Sequence, residues 1–134
     1  MTKRALLPEG WPRPRGYANG VTARGAIVSV SGQVGWDPRG TIVSDDFVAQ
    51  AKQALANIVA VLAEGGAAPR HLVRLTWYVL DRDEYVARGR EVGVVFREVI
   101  GDYDIAMSAV QVAALVEPGA KVEIEATAVV PDLS

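Results

Sequence analysis

Hydrophobic residues in the middle of the chain recur at the spacing of an amphipathic helix. The apolar positions that fall on one helical face are Phe47, Ala51, Ala54, Leu55, Ile58, Val59 and Leu62. Asp45 or Asp46 can cap the first turn, because a carboxylate accepts hydrogen bonds from the free N–H groups there and suits the helix dipole. Gly65 and Gly66 then end the helix. The pattern predicts a first helix between these signals.

A second helix is predicted from about Asp83 to Ile100, since Asp81 and Glu84 have the spacing of a capping box. Its inner face consists of Tyr85, Gly89, Val92, Phe96 and Val99. Gly89 and Gly93 inside a helix cost about 1 kcal/mol each relative to alanine. Their presence suggests that close packing or a ligand needs the space.

The remaining apolar stretches have the length and the β-branched content of strands. They are a strand before the turn at Arg24 and Gly25, then about Ala26 to Gln33, His71 to Leu80, Ile105 to Val112, and Lys121 to Val130. The order of elements is therefore ββαβαββ. It predicts an α+β fold in a single domain over residues 1–134, with both helices on one face of the sheet.

Alternation along the predicted strands sorts their side chains onto two faces. The apolar face carries Val73, Leu75, Trp77, Val79, Val122, Ile124, Ala126 and Ala128, together with Val28 and Val30. The opposite face carries Ser29, Ser31, Gln33, Arg74, Thr76, Tyr78, Glu123, Glu125 and Thr127. A solvated face usually has more Lys and Glu, so we expect this face to be partly buried by another subunit, with clefts for water or a ligand. A solvated face without a role is the alternative.

Composition excludes several classes of function. The formal net charge of -2 gives no positive field for a polyanion, so nucleic acid is not an expected partner. The absence of cysteine excludes disulfides and thiolate catalysis, and His71 has no second histidine with which to form a metal site or a catalytic dyad. No apolar run is long enough for a membrane span. We therefore expect a cytoplasmic protein that has no metal, cofactor or membrane partner.

Several segments, in order and spacing, carry a resemblance to a known family. They are "GYANGV" (16–21), "VSVSGQV" (28–34), "AQAKQALANIVAVLAEGG" (49–66), "LVRLTWYVLDRDEY" (72–85) and "VEIEATAVV" (122–130). Together they resemble the Rid family of reactive intermediate deaminases, which includes RidA and YjgF and was once called endoribonuclease L-PSP. The resemblance implies a chorismate-mutase-like fold of the bacillus type, with a mixed sheet and two helices on one face. It also implies a homotrimer with a central barrel and small-molecule clefts between adjacent subunits.

The resemblance also implies roles for particular residues. Family deaminases hydrolyse enamines and imines to a carbonyl compound and ammonia. Substrate-binding positions of the family fall on Tyr17, Ser31, Gly89, Met107 and Ser108, and the residue that orients or activates water falls on Glu123. Without the resemblance, a Glu123 that is exposed or paired with Arg74 is an equally good interpretation. Gly32 is expected to serve strand packing.

Two of these positions depart from the family pattern. Met107 stands where the family has the arginine that anchors the substrate carboxylate, and Gly89 stands where it has an asparagine. A thioether cannot hold a carboxylate and offers a soft apolar wall instead. Arg13 and Arg15 could supply a replacement guanidinium, although solvated charges are the simpler interpretation of both residues.

Two functional hypotheses remain open. The first is a Rid-type hydrolase that releases ammonia from an enamine or imine, with substrate choice altered by the loss of the arginine anchor. The alternative is a non-catalytic trimer that binds a small ligand or a partner through the same clefts. A ribonuclease is disfavoured by the acidic charge and by the lack of a histidine pair.

Overall fold

The computed structural model describes residues 3–101 and 104–132. The strands are β1 (Lys3–Leu6), β2 (Gly20–Ala23), β3 (Ala26–Gln33), β4 (Leu72–Val79), β5 (Ala106–Gln111) and β6 (Val122–Val130). The helices are α1 (Phe47–Glu64), α2 (Arg82–Ala87) and α3 (Gly89–Val99), and a short 3-10 helix (Pro69–His71) precedes β4.

Four strands form a mixed sheet in the order β3-β6-β4-β5. The β4–β5 pair is parallel, whereas β6 is antiparallel to both β3 and β4. The predicted α+β fold with helices on a mixed sheet is therefore confirmed. Sequence patterns did not reveal β1, which pairs antiparallel with β2 in a separate two-stranded sheet. Its four residues are mostly exposed, so they carry no apolar alternation.

The first helix begins and ends as predicted. The Asp46 carboxylate accepts a hydrogen bond of 2.9 Å from the backbone N–H of Ala49, and Gly65 is the residue after the last turn. Six of the seven residues predicted on its inner face are buried, and Val59 packs against them from a half-buried position. These side chains fill the space between α1 and the sheet, which places α1 firmly over one sheet face.

The prediction of one continuous second helix was wrong. Arg88, with φ -101° and ψ 18°, separates α2 from α3. Asp81 caps α2 as predicted, since its carboxylate accepts from the backbone N–H groups of Asp83 and Glu84 over 3.0 and 3.1 Å. Gly89 follows the break, and glycine is a poor helix former, so a continuous helix is less favourable at this point.

The predicted division of the strands into two faces is confirmed in β6, where every second residue from Val122 to Ala128 is buried. In β4 one residue differs, because Leu72 is fully buried whereas Val73 is only partly buried. The pairing of β4 with β6 shifts register between Leu72 and Arg74, which changes the alternation at that point. Among the described residues, no helix is long and apolar enough to cross a membrane.

Candidate functional site

A pocket of about 490 Å³ opens beside β5, between the sheet and the helices α2 and α3. We call it the β5 pocket. Its lining includes the aromatic residues Trp77, Tyr85 and Phe96, and on its other sides Met107, Ser108, Tyr17 and Arg15. Three of the residues predicted to bind substrate, Tyr17, Met107 and Ser108, therefore meet in one cavity. The volume is in the range of small-molecule sites.

Aromatic residues form one wall of this pocket. The ring of Trp77 lies 6.0 Å from that of Tyr85 and 6.5 Å from that of Phe96, measured between centroids. Trp77 is 2% exposed, so the wall is part of the core. Burial raises the pKa of the Tyr85 phenol, which keeps this group neutral. Phe96 is 3% exposed, so of the three rings the partly buried Tyr85 presents most of the uncharged surface to a ligand.

Met107 lies on the helix-facing side of the sheet. Its strand pairs in parallel with β4, where Met107 is opposite the fully buried Leu75, and its side chain packs against the core while it lines the pocket. The next residue, Ser108, accepts a hydrogen bond of 3.3 Å from Nη2 of Arg74. The strand thus presents an apolar side chain to the pocket at position 107.

The loop before β2 is attached to the start of β5. The backbone N–H of Ala18 donates to the carbonyl of Ile105 over 2.8 Å, and Ala18 forms a parallel bridge with Ala106. Ala18 is buried at 6% exposure. This attachment holds the segment 15–17 beside Met107, and no local sequence pattern could reveal it, because the contact joins residues far apart in the chain.

A second group of predicted residues lies on β3 and β6. A Cβ atom built on Gly32 would lie 1.9 Å from Oε2 of Glu123, so the carboxylate rests directly against this glycine. Ser31 is exposed next to it, and its Oγ accepts a hydrogen bond of 3.4 Å from Gln33 Nε2. Within the described parts of the chain, the Glu123 carboxylate takes part in no hydrogen bond or ion pair. Gly32 packs as expected, but its packing partner is the candidate catalytic residue.

Neighbouring side chains on the same sheet face are engaged in other contacts. The Tyr78 hydroxyl donates to Glu125 Oε1 over 2.5 Å, and this bond is the main cause of the raised pKa of Tyr78. The Arg74 guanidinium contacts Ser108 rather than Glu123. These contacts border a polar groove of about 210 Å³, which Arg74, Glu125 and Thr127 help to line. Glu123 is thus available for a ligand or water.

Met107 with the β5 pocket and the Glu123 carboxylate lie on opposite faces of the sheet, whereas Ser108, on the edge strand, borders the pocket while its hydroxyl accepts from Arg74 on the polar face. Met107 faces the helices, whereas Glu123 alternates with the buried Val122 and Ile124 and therefore points to the other face. Glu123 is opposite Tyr78 on β4, and β5 lies one strand further. One chain therefore does not combine both groups in a single cleft.

Two other residues singled out by the sequence lie outside both groups. Gly89 is exposed and has no atom within 4 Å of a built Cβ, so it neither lines the β5 pocket nor packs closely. Gly93, one helical turn later, does line the pocket. His71 is buried, and its Nδ1 accepts a hydrogen bond of 3.0 Å from the backbone N–H of Ala68. Burial lowers the pKa of this imidazole, which fits a structural role.

In the ranges 3–101 and 104–132, no three His, Asp or Glu side chains come together in a way that could hold a metal ion.

Similar proteins share the fold and much of the sequence. A RutC family protein of Pyrococcus abyssi is 32% identical over 116 residues, which cover 86% of this chain and 88% of that protein. A 2-iminobutanoate/2-iminopropanoate deaminase of Salmonella typhimurium is 34% identical over 84% of this chain and 86% of its own length. Among solved structures, a Rid family protein of Yersinia pestis has a TM-score of 0.85 at 32% identity, with 97% of this chain and 100% of the other covered. The model of the family described as endoribonuclease L-PSP matches residues 12–130. The chain therefore belongs to the endoribonuclease L-PSP family, which is the Rid family of proteins.

Proposed function

We propose that the protein is a deaminase that hydrolyses an enamine or imine to a carbonyl compound and ammonia. The observation that carries this proposal is the Glu123 carboxylate, which rests against Gly32 without a hydrogen-bond partner in the described chain. A carboxylate in this state can hold a water molecule and accept its proton. The similarity to the Salmonella deaminase supports the same chemistry.

The complete site requires a second subunit. Since the β5 pocket and Glu123 lie on opposite faces of the sheet, both can border one cleft only if adjacent chains contribute one group each. We propose a homotrimer of single-domain subunits in the cytoplasm, in which Ser31 and Glu123 of one chain face Tyr17, Met107 and Ser108 of the next. The mostly uncharged polar residues of the sheet face fit burial in such an assembly.

The reaction follows from these positions. Glu123 accepts a proton from water as the water oxygen attacks the carbon of the C=N bond, and delivers this proton to the nitrogen to give a carbinolamine. The hydroxyl proton of the carbinolamine is then transferred to the same nitrogen as the C=O bond forms and the C–N bond breaks, so that one imine and one water give one carbonyl compound and one ammonia. Ser31 and Ser108 can hold polar groups of the substrate by hydrogen bonds, as hydroxyls both donate and accept. An enamine enters the same route after it has tautomerised to the imine.

Ammonia release from freshly generated 2-iminobutanoate tests the proposal. Glu123→Gln keeps the shape of the side chain but cannot accept the proton, so we expect turnover to fall by about a hundredfold or more. Glu64→Gln, on the exposed end of α1, is the matched control and should retain full activity. If the wild type releases no more ammonia than Glu123→Gln, with this and with larger imines, the proposal is wrong and the non-catalytic binding trimer replaces it.

A further inference from the structure

We propose that Arg15 anchors the carboxylate of a substrate that carries an aromatic or similarly flat apolar side chain, and that this side chain occupies the β5 pocket. The inference rests on the proposed function for its chemistry. Ligand binding by Arg15 and the β5 pocket can be measured without turnover, so the inference about binding and the proposed deaminase activity can fail independently.

Arg15 is the only charged residue among the described residues that line the β5 pocket. Its guanidinium has no ion pair or hydrogen bond with any side chain in the described parts of the chain, so the positive charge is available. Guanidinium groups bind carboxylates in a bidentate manner, with two parallel hydrogen bonds. A pocket with one cation and no anion selects a ligand with a single negative charge.

The loop before β2 holds Arg15 at the pocket. Gly16, at φ 78°, turns the chain between Arg15 and Tyr17, and the bond from Ala18 to Ile105 holds this segment at the pocket. Arg15 and Met107 therefore border the same cavity from different sides. The strand supplies an apolar wall, and the loop supplies the positive charge.

The walls of the β5 pocket are mostly apolar. Trp77 and Phe96 are almost fully buried behind it, so the partly buried Tyr85 and Met107 present most of its apolar surface, and a thioether packs well against aromatic rings. A two- or three-carbon imino acid would fill only a small part of a cavity of about 490 Å³. An aromatic side chain would fill more of it, contact Tyr85 and Met107, and remove its own apolar surface from water, which favours binding in proportion to the area.

Arg13 provides a matched control. It has the same charge, belongs to the same loop and is exposed like Arg15, but it lines a different cavity of about 200 Å³ with Leu6 and Leu7. Replacing either arginine changes the net charge equally. A difference between the two variants therefore reports position and not the general field of the protein.

Calorimetric titration with 3-phenylpropanoate, 3-phenylpropanamide and butanoate tests the binding. We expect the wild type and Arg13→Gln to prefer the aromatic carboxylate to its amide by about tenfold, the scale of one charge-assisted contact in a half-open site. Arg15→Gln should bind both aromatic compounds equally. Butanoate should bind at least tenfold more weakly than 3-phenylpropanoate. An unchanged carboxylate preference in Arg15→Gln overturns the role of Arg15, and equal binding of butanoate overturns the aromatic class.

Kinetics distinguish this inference from the proposed function. With the imine generated from phenylalanine by an amino acid oxidase, Arg15→Gln should raise KM by about tenfold, because the anchor binds the substrate in its ground state. It should change kcat little, whereas Glu123→Gln should lower kcat. An equal effect of Arg13→Gln and Arg15→Gln on KM overturns the inference even when the enzyme is active. Absence of turnover with intact binding leaves the anchor in place and refutes only the deaminase.

Discussion

The carboxylate of Glu123 lies directly against the backbone of Gly32. A Cβ atom added at position 32 would lie 1.9 Å from Oε2 of Glu123, so only glycine fits there while the carboxylate keeps its position. The absence of a side chain at Gly32 therefore leaves the space that the carboxylate occupies. The atoms nearest to that Cβ belong to the Glu123 side chain, which can rotate away. A larger residue at this position would move the candidate base without breaking the sheet.

Gly32→Ala should thus reduce deaminase activity far more than it reduces stability. We expect a loss in the free energy of unfolding of no more than about 2 kcal/mol, the usual range for a small overpacking change. The activity loss should approach that of Glu123→Gln. In the double variant, Gly32→Ala should add almost nothing to Glu123→Gln, because both act through one carboxylate. Additive losses would mean that Gly32 acts by another route.

Gly89→Ala should stabilise the protein. Gly89 begins α3, has no atom within 4 Å of a built Cβ and has no positive φ. Alanine is the better helix former by about 0.5–1 kcal/mol and also reduces the entropy of the unfolded chain. Urea unfolding measures the gain. A destabilised variant would show that the assembled protein packs against this position.

Arg88→Gln should lower the free energy of unfolding slightly. The guanidinium joins the cap of α1 to the first turn of α3 through bonds of 2.5 Å to Asp46 and 2.7 Å to Glu91. Both carboxylates are about half exposed, so solvent screens each pair and keeps its contribution small. Arg90→Gln, two residues later and exposed, is the control for charge and helix propensity in urea unfolding. Equal effects of the two variants would show that the bridge contributes nothing.

Stability should fall on mild acidification because of His71. Its pKa in the fold lies below the ordinary value of 6.5, chiefly because of burial, so the unfolded chain binds a proton more readily than the folded one. The stability is then fully present above pH 6.5 and declines as the pH falls from there toward the lowered pKa. His71→Gln keeps a hydrogen-bond acceptor and should flatten this decline in urea unfolding between about pH 7 and pH 5. An unchanged slope would assign the decline to other groups.

The predictable parts of the structure are those set by local pattern. The inner face of α1 and its cap at Asp46 followed from residue spacing, and the faces of β6 followed from alternation. The break at Arg88 did not follow, because one of the two ion pairs of Arg88 joins it to Asp46, 42 positions earlier in the chain. The burial of Gln50 did not follow from the sequence either, because a glutamine within a helix is usually exposed. Its amide group binds the carbonyls of Ser44 and Gly119 and the N–H of Lys121, contacts that only the folded chain reveals.

The candidate site shows the same limit. The sequence predicted that Met107 forms a wall, and the pocket contains it together with Tyr17 and Ser108. The position of Arg15 depends on the backbone bond from Ala18 to Ile105, which no periodicity encodes. Spacing alone therefore could not choose between Arg13 and Arg15 as the cation at the pocket.

The strand order has a consequence for inheritance as well as for chemistry. Because the β5 pocket and Glu123 lie on opposite faces, a cleft of the proposed trimer takes one group from each of two neighbours. A chain with Arg15→Gln still supplies the Glu123 carboxylate, and a chain with Glu123→Gln still supplies an unaltered β5 pocket. Every mixed trimer of these two chains then contains one intact cleft. Two defective alleles expressed in one cell should complement each other, whereas either allele alone should remain impaired.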